Sequence, residues 1–186
     1  MNHLVSDGPH AALSRSDVTR VLQRVATSFI PAFADFCLIH LADRHYLRCI
    51  AYAHGSRDGL RLLRGLASAD LISRRDPLST VAHVVRTGRA QVRNEITTHE
   101  DHAGRPYPAD LLRGLAPRSA IVVPLVVRDR VRGALTLCYS ASGRRYTTHH
   151  VPAAKRLARL VTGSLVRGTA VPPPAARRLP PLRARL

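Results

Sequence analysis

Tryptophan is missing from this 186-residue chain and aromatics make up only 4% of it, so the stacking platforms of RNA and single-strand readers have little material here. Glutamate occurs only at Glu95 and Glu100, which leaves paired-carboxylate catalysis few candidates. No Gly-x-Ser-x-Gly, Walker loop, Gly-x-Gly-x-x-Gly or His-Glu-x-x-His occurs, so the common nucleophile, phosphate and zinc motifs are excluded. The three cysteines, Cys37, Cys49 and Cys138, share no Cys-x-x-Cys spacing and sit in apolar runs. That is the pattern of buried, reduced thiols and points to a cytoplasmic compartment. No apolar run approaches a membrane span. The opening Met-Asn-His-Leu-Val-Ser-Asp lacks the basic flank and apolar core of a secretory signal.

Positive charge is abundant. The formal net charge is +17, and with Lys155 the single lysine, 28 of the 29 basic residues are arginine. Residues 1–104 hold 13 basic and 10 acidic groups, whereas residues 105–186 hold 16 basic and 2 acidic groups. Such asymmetry would attract phosphate backbones or an acidic protein. Without the aromatics and motifs of nucleic-acid readers, a solvated basic surface is the favoured reading and nucleic acid the disfavoured one.

The stretch from Arg118 to Tyr139 organises the chain. Two β-branched apolar runs, Ile121–Val127 and Val131–Tyr139, are split by the triplet Arg128-Asp129-Arg130, which predicts an antiparallel hairpin turning at Asp129. The runs are almost continuously apolar, as in strands covered on both faces. Upstream, Val18, Val21, Leu22, Val25, Phe29 and Ile30 recur at helical spacing between Ser16 and Pro31. Strands are predicted at Phe33–Ala42 and Tyr46–His54, and a helix over Ser56–Ser73 with Leu71 on its stripe. A second helix follows, with Asp76 as cap, Pro77 in its first turn and Gly88 past its end. A short strand at Ala90–Ile96, a polar loop at Thr97–Tyr107 and a short helix from Pro108 to Leu115 lead to the hairpin. A long helix from about Thr148 to Leu165 closes the domain. The expected layout is a flexible leader at 1–14, one domain at 15–168, and a tail at 169–186 whose five prolines and four arginines carry no apolar period.

This order predicts an α+β fold with a single, mainly antiparallel sheet of five to six strands. The terminal helices would lie on one face and the inserted helices and loop on the other, with a cavity beneath the inserted segment. Candidate ligand contacts are Arg48 and Ile50 on the second strand, His83 on the mid-chain helix and Asn94 at the end of the short strand. Val123, Leu135 and Leu137 join them on the hairpin that would floor the cavity. Period-two counting places Tyr46, Arg48, Ile50 and Tyr52 on one face. The one dense set of ligand-type residues, His99-Glu-Asp-His102, lies in the polar loop with no distant third ligand, so no metal is assigned. No cofactor is indicated.

Residues 18–165 resemble a GAF domain. The resemblance rests on Ala34-Asp-Phe-Cys37, Val84-Val-Arg-Thr-Gly-Arg89, Ser119-Ala-Ile-Val-Val-Pro-Leu125, Arg132-Gly-Ala-Leu-Thr-Leu137 and Ser142-Gly-Arg-Arg-Tyr146. It implies a bacterial sensory or regulatory module, similar to those of sensor kinases and of regulators coupled to PP2C-type phosphatases. Such a module is non-enzymatic. It would bind a small molecule or a partner protein and signal through its terminal helices as a homodimer, to a kinase, phosphatase or regulator partner. The Asn-Lys…Phe…Asp-Glu signature of cyclic-nucleotide binders is absent. The strand-borne cysteines match neither the bilin attachment site nor the cysteine pair of the sulfoxide-reducing members. A second reading is a basic module that meets nucleic acid or an acidic protein through its Arg-rich C-terminal half.

Overall fold

The computed structural model describes residues 15–69, 71–96 and 109–167. The expected leader, the His99–His102 cluster and the Arg/Pro tail lie outside these residues. The elements are α1 (Arg15–Ser28), β1 (Phe36–Ala42), β2 (Tyr46–His54), α2 (Arg57–Ala69), β3 (Leu71–Ser73), α3 (Thr80–Thr87), β4 (Gln91–Arg93), α4 (Ala109–Leu115), β5 (Ser119–Val127), β6 (Arg130–Tyr139) and α5 (Val151–Arg167), the last preceded by a short 3₁₀ turn. The strands form one antiparallel sheet in the order β3-β2-β1-β6-β5-β4, so the predicted hairpin is central and the fold is α+β as expected.

The two faces are covered by different parts of the chain. One face carries Cys37, Ile39, Ala51, Ala53, Ile121, Val123, Leu135 and Leu137. Against it lie Leu22, Val25, Ala26 and Phe29 of α1 and Ala154, Leu157, Ala158 and Val161 of α5, as their 3.6-residue spacing requires. The opposite face packs in two smaller groups. Phe36, Leu38, Ala120 and Cys138 meet Leu63 and Leu66 of α2 and Leu115 of α4. Leu47, Val122 and Ala134 meet Ile72 and the α3 residues Ala82, Val84 and Val85.

Three expectations change. The helix predicted to reach Ser73 ends at Ala69, and Leu71–Ser73 pairs with β2 as an edge strand whose Ile72 is buried. A three-residue strand is too short to show a period of its own. The mid-chain helix starts at Thr80, not at Pro77: Ser79 is its N-cap, the Oγ accepting from the Ala82 N–H at 3.2 Å. Asp76 instead closes the preceding turn by accepting from the Leu78 N–H at 2.9 Å, and Leu78 is exposed. Finally, β2 contains a bulge: Ile39 pairs with Ala51 and His40 with Cys49, so Ile50 is the extra residue. Ile50 packs with the terminal-helix cluster whereas Tyr52 packs with the inserted-helix cluster, so period-two counting fails at the bulge.

The hairpin turn is tighter than the triplet implied. Val127 pairs with Arg130, leaving Arg128 and Asp129 as the two central residues, both left-handed with φ of 48° and 59°. Gly133 answers to a close approach. A Cβ there would lie 2.0 Å from the His40 carbonyl oxygen on the neighbouring strand.

Candidate ligand site

The sheet face beneath α2, α3 and α4 is the side on which the fold leaves an inserted segment over a strand floor. Its register builds three rows across β1, β6 and β5: Phe36–Cys138–Ala120, Leu38–Thr136–Val122, and His40–Ala134–Pro124. Two polar side chains therefore sit as diagonal neighbours in an apolar floor. His40 is 2% exposed and Thr136 8%. The Thr136 Oγ1 has no hydrogen-bond partner among the described residues. A buried hydroxyl left without a partner costs about 1–3 kcal/mol, so Thr136 is a place on the floor where a ligand hydrogen bond would offset a cost.

The seven residues expected from sequence do not share a site. Val123, Leu135 and Leu137 come together, but in the core between the sheet and the terminal helices. Ile50 packs at the edge of that core. Arg48 is exposed and pairs with Asp43 at 3.5 Å. Asn94 is exposed just beyond β4, and its backbone carbonyl accepts from Arg145 at 3.1 Å. Only His83, half-buried on α3, lies on an element that covers the polar floor. Sequence reasoning missed His40 and Thr136. Their signal was legible: each is the polar residue inside an apolar stretch of its strand, His40 in Phe36–Ala42 and Thr136 in Ala134–Tyr139.

Neither fully buried thiol, Cys37 on the terminal-helix face or Cys138 on the floor, is an activated nucleophile. Burial pushes the Cys37 thiol up to about 12, partly offset by the Ala53 backbone, and pushes the Cys138 thiol up as well. Both stay protonated at neutral pH, where thiolate chemistry requires the opposite. A cavity of about 10 Å³, room for one water, lies on the other side of the sheet between Leu137, Tyr146, His150 and Leu157. Among the described residues no group of three or more His, Cys, Asp or Glu side chains could hold a metal ion.

A clamp closes the end of the sheet where the terminal helices attach. Asp35 Oδ2 accepts from the backbone N–H groups of Ser140 at 2.7 Å and Ser142 at 2.9 Å, and its Oδ1 faces Arg144 at 3.3 Å. Arg144 also donates to the carbonyls of Pro31 and Ala32, and its guanidinium lies 4.3 Å over the Tyr139 ring. Tyr139 stacks on Tyr146 at 4.1 Å, and the Tyr146 hydroxyl donates to the Phe33 carbonyl. The segment leading into α5 is thus fastened to the segment leaving α1. Burial alone would raise the Asp35 carboxyl, but the Ser140, Ser142 and Arg144 donors outweigh it and hold it below the usual carboxylate range.

A six-stranded antiparallel sheet with terminal helices on one face and inserted helices on the other defines an α+β domain of known architecture. A family model described as GAF domain matches residues 12–165, and the chain belongs to that family. Its members are typically sensory or regulatory ligand-binding domains. Solved structures agree on the fold. The chain is similar to a methyl-accepting chemotaxis protein fragment, residues 122 to 287, at 19% identity and TM-score 0.63, covering 83% of this chain and 92% of that one. It is similar to the GAF domain of PixJ from Thermosynechococcus elongatus in its blue-light absorbing form, at 20% identity and TM-score 0.57, covering 84% and 90%. A type II free methionine-R-sulfoxide reductase from Thermoplasma acidophilum aligns at 13% identity and TM-score 0.56, covering 86% and 99%. Comparison with curated proteins finds no match. Among the described residues no helix is long and apolar enough to cross a membrane.

Proposed function

We propose that this chain is a non-enzymatic sensory domain whose ligand is a small molecule held between the His40–Thr136 floor and the helices above it. The observation that carries this reading is the buried, unpartnered Thr136 hydroxyl in an apolar floor beside a second polar group. A buried donor without a partner costs stability unless something pairs with it. A ligand with a hydrogen-bond acceptor beside an apolar body fits such a floor. His83, on the helix above, is the nearest of the sequence candidates to the same face.

The floor strands β1 and β6 both end at the Asp35–Arg144 clamp, so a shift in their packing would be felt by α1 and α5 together. These helices are the proposed output surface, read by a second copy or by a kinase, phosphatase or regulator.

Native mass spectrometry of the purified protein, with a thermal-shift screen of nucleotides, amino acids and haem, tests the reading. The expected result is a retained or added mass together with a melting shift that Thr136→Val abolishes. A ligand whose shift is unchanged in Thr136→Val and in His40→Phe would refute the assignment of this face. Light scattering that shows a monomer at high protein concentration would remove the dimer.

A further inference from the structure

The turn end of the sheet, opposite the Asp35 clamp, gathers arginines that the sequence scatters. Because β1 pairs with β6 through Leu41 and Gly133, the β1–β2 turn and the β5–β6 turn lie side by side. Arg44 stands on the first, and Arg128, Arg130 and Arg132 on or beside the second. The Arg74 backbone N–H bonds the His45 carbonyl at 3.0 Å, which brings Arg75 to the first turn. Val131 abuts Gly88 at the end of α3, where a Cβ would lie 3.7 Å from Val131 Cγ2, and this adds Arg89. All six arginines are exposed, and none of their guanidinium groups makes an ion pair or hydrogen bond among the described residues. Two of the acids at this end pair with none of the six. Asp43 is engaged by the turn amides of His45 and Tyr46 and by Arg48, and Asp76 accepts from the Leu78 N–H. Asp129 is left as one exposed carboxylate among the arginines.

Two further observations separate this patch from a merely solvated surface. Arg128 occupies a left-handed turn position that glycine or asparagine would fill without strain, so the chain keeps a charge against local preference. Exposed apolar groups flank the arginines on both faces: Val126, 45% exposed, on the inserted-helix side beside the hairpin tip, and Tyr46, 41% exposed, on the opposite side of β2 from the buried Leu47. Phosphate backbones would leave such groups uncovered, whereas arginine mixed with tyrosine and aliphatic side chains is the make-up of a protein interface core.

We infer that the turn end of the sheet is a docking surface for an acidic protein segment carrying apolar side chains. It is separate from the proposed ligand floor and does not depend on it. The arginines supply steering and charge-assisted bonds to carboxylates, and Val126 and Tyr46 supply flanking apolar contacts, one on each side of the sheet end. This end is built from both halves of the chain, so the Arg-rich C-terminal half is only part of it.

Fluorescence anisotropy with the full chain tests the surface. The probe is a labelled peptide of about sixteen residues, glutamate interspersed with leucine and phenylalanine, at about 50 mM salt, beside a single-stranded oligonucleotide of equal charge. The combined variant Arg128→Gly, Arg130→Ser, Arg132→Ser should weaken peptide binding by about tenfold or more and flatten its salt dependence. A control that removes as much charge from α2, Arg57→Gln, Arg61→Gln, Arg64→Gln, should cost less than about threefold. Should the combined variant fold poorly, Arg89→Gln and Val126→Ser singly should each cost about threefold. Equal losses in the turn-end and α2 variants, no peptide binding, or tighter binding of the oligonucleotide than of the peptide would each overturn the proposal.

Discussion

The two faces of the sheet are built from the same strands yet hold together differently. On the terminal-helix side a single apolar cluster runs without interruption from Leu22 through Val123 and Leu137 to Val161. On the inserted-helix side the apolar contacts break into two groups, one under α2 and α4 and one under α3, and His40 and Thr136 lie on the floor they share. A continuous core contributes stability in proportion to buried apolar area, while a divided one with polar groups gives up part of that contribution. The first face holds the domain together. The second is where the fold tolerates a cost, which is what a binding surface requires.

The largest way to break the comparison is to disturb both faces at once. Gly133 lets β6 approach the His40 carbonyl on β1, and a methyl group there would sit 2.0 Å from backbone that cannot move without unpairing the sheet. Gly133→Ala should destabilise by more than about 3 kcal/mol, or abolish soluble expression. A urea midpoint equivalent to a loss under about 1 kcal/mol would show that the strands are looser than this geometry implies.

A matched pair of truncations then sets one face against the other. Leu137 is 1% exposed in the continuous core and Leu38 is 6% exposed in the divided one. Leu137→Ala should cost about 3–4 kcal/mol and Leu38→Ala about 2–3 kcal/mol, by urea denaturation without ligand. The sharper contrast is in ligand response: Leu38→Ala should reduce any ligand-induced melting shift and Leu137→Ala should leave it in place. The reverse pattern would move the site to the terminal-helix face, where Val123, Leu135 and Leu137 lie.

Val123, Leu135 and Leu137 lie on the face away from the inserted helices for a physical reason visible in the same strands. Ser119-Ala-Ile-Val-Val-Pro-Leu125 and Arg132-Gly-Ala-Leu-Thr-Leu137 were legible as a central hairpin because both faces are buried and the runs are apolar throughout. Burial on both faces also erases the alternation that would tell one face from the other, so Val123, Leu135 and Leu137 carried no sign of which side they served. The bulge at Ile50 added a phase shift that no period could reveal, and β3 was too short to announce itself beside α2. The polar exceptions were the readable mark. Thr136 lies within the very motif that carried the family resemblance.

The clamp at the end of the sheet gives a smaller, pH-linked effect. Asp35 is 12% exposed and accepts two backbone N–H groups beside Arg144, so Asp35→Asn should cost about 1–2 kcal/mol near neutral pH. Its folded pKa lies below the unfolded value of about 3.8. The stabilisation is therefore fully present above that value and is lost as pH falls through the lowered folded one. Between about pH 7 and about pH 3 the wild type should lose more stability than Asp35→Asn, and the two urea curves should converge. Parallel losses would mean that other carboxylates dominate the acid limb.

The smallest change has the opposite sign. Thr136→Val keeps the shape and removes the hydroxyl that has no partner among the described residues. If that hydroxyl only burdens the core, the ligand-free protein should gain up to about 1 kcal/mol, because the desolvation cost disappears while the methyl contacts with Leu38 and Val122 remain. A stabilised variant that has also lost its ligand response would mark Thr136 as a binding group kept at the expense of stability. A destabilised variant would mean that the hydroxyl has a partner within the folded chain, and the floor would then be no more demanding than the core on the other side.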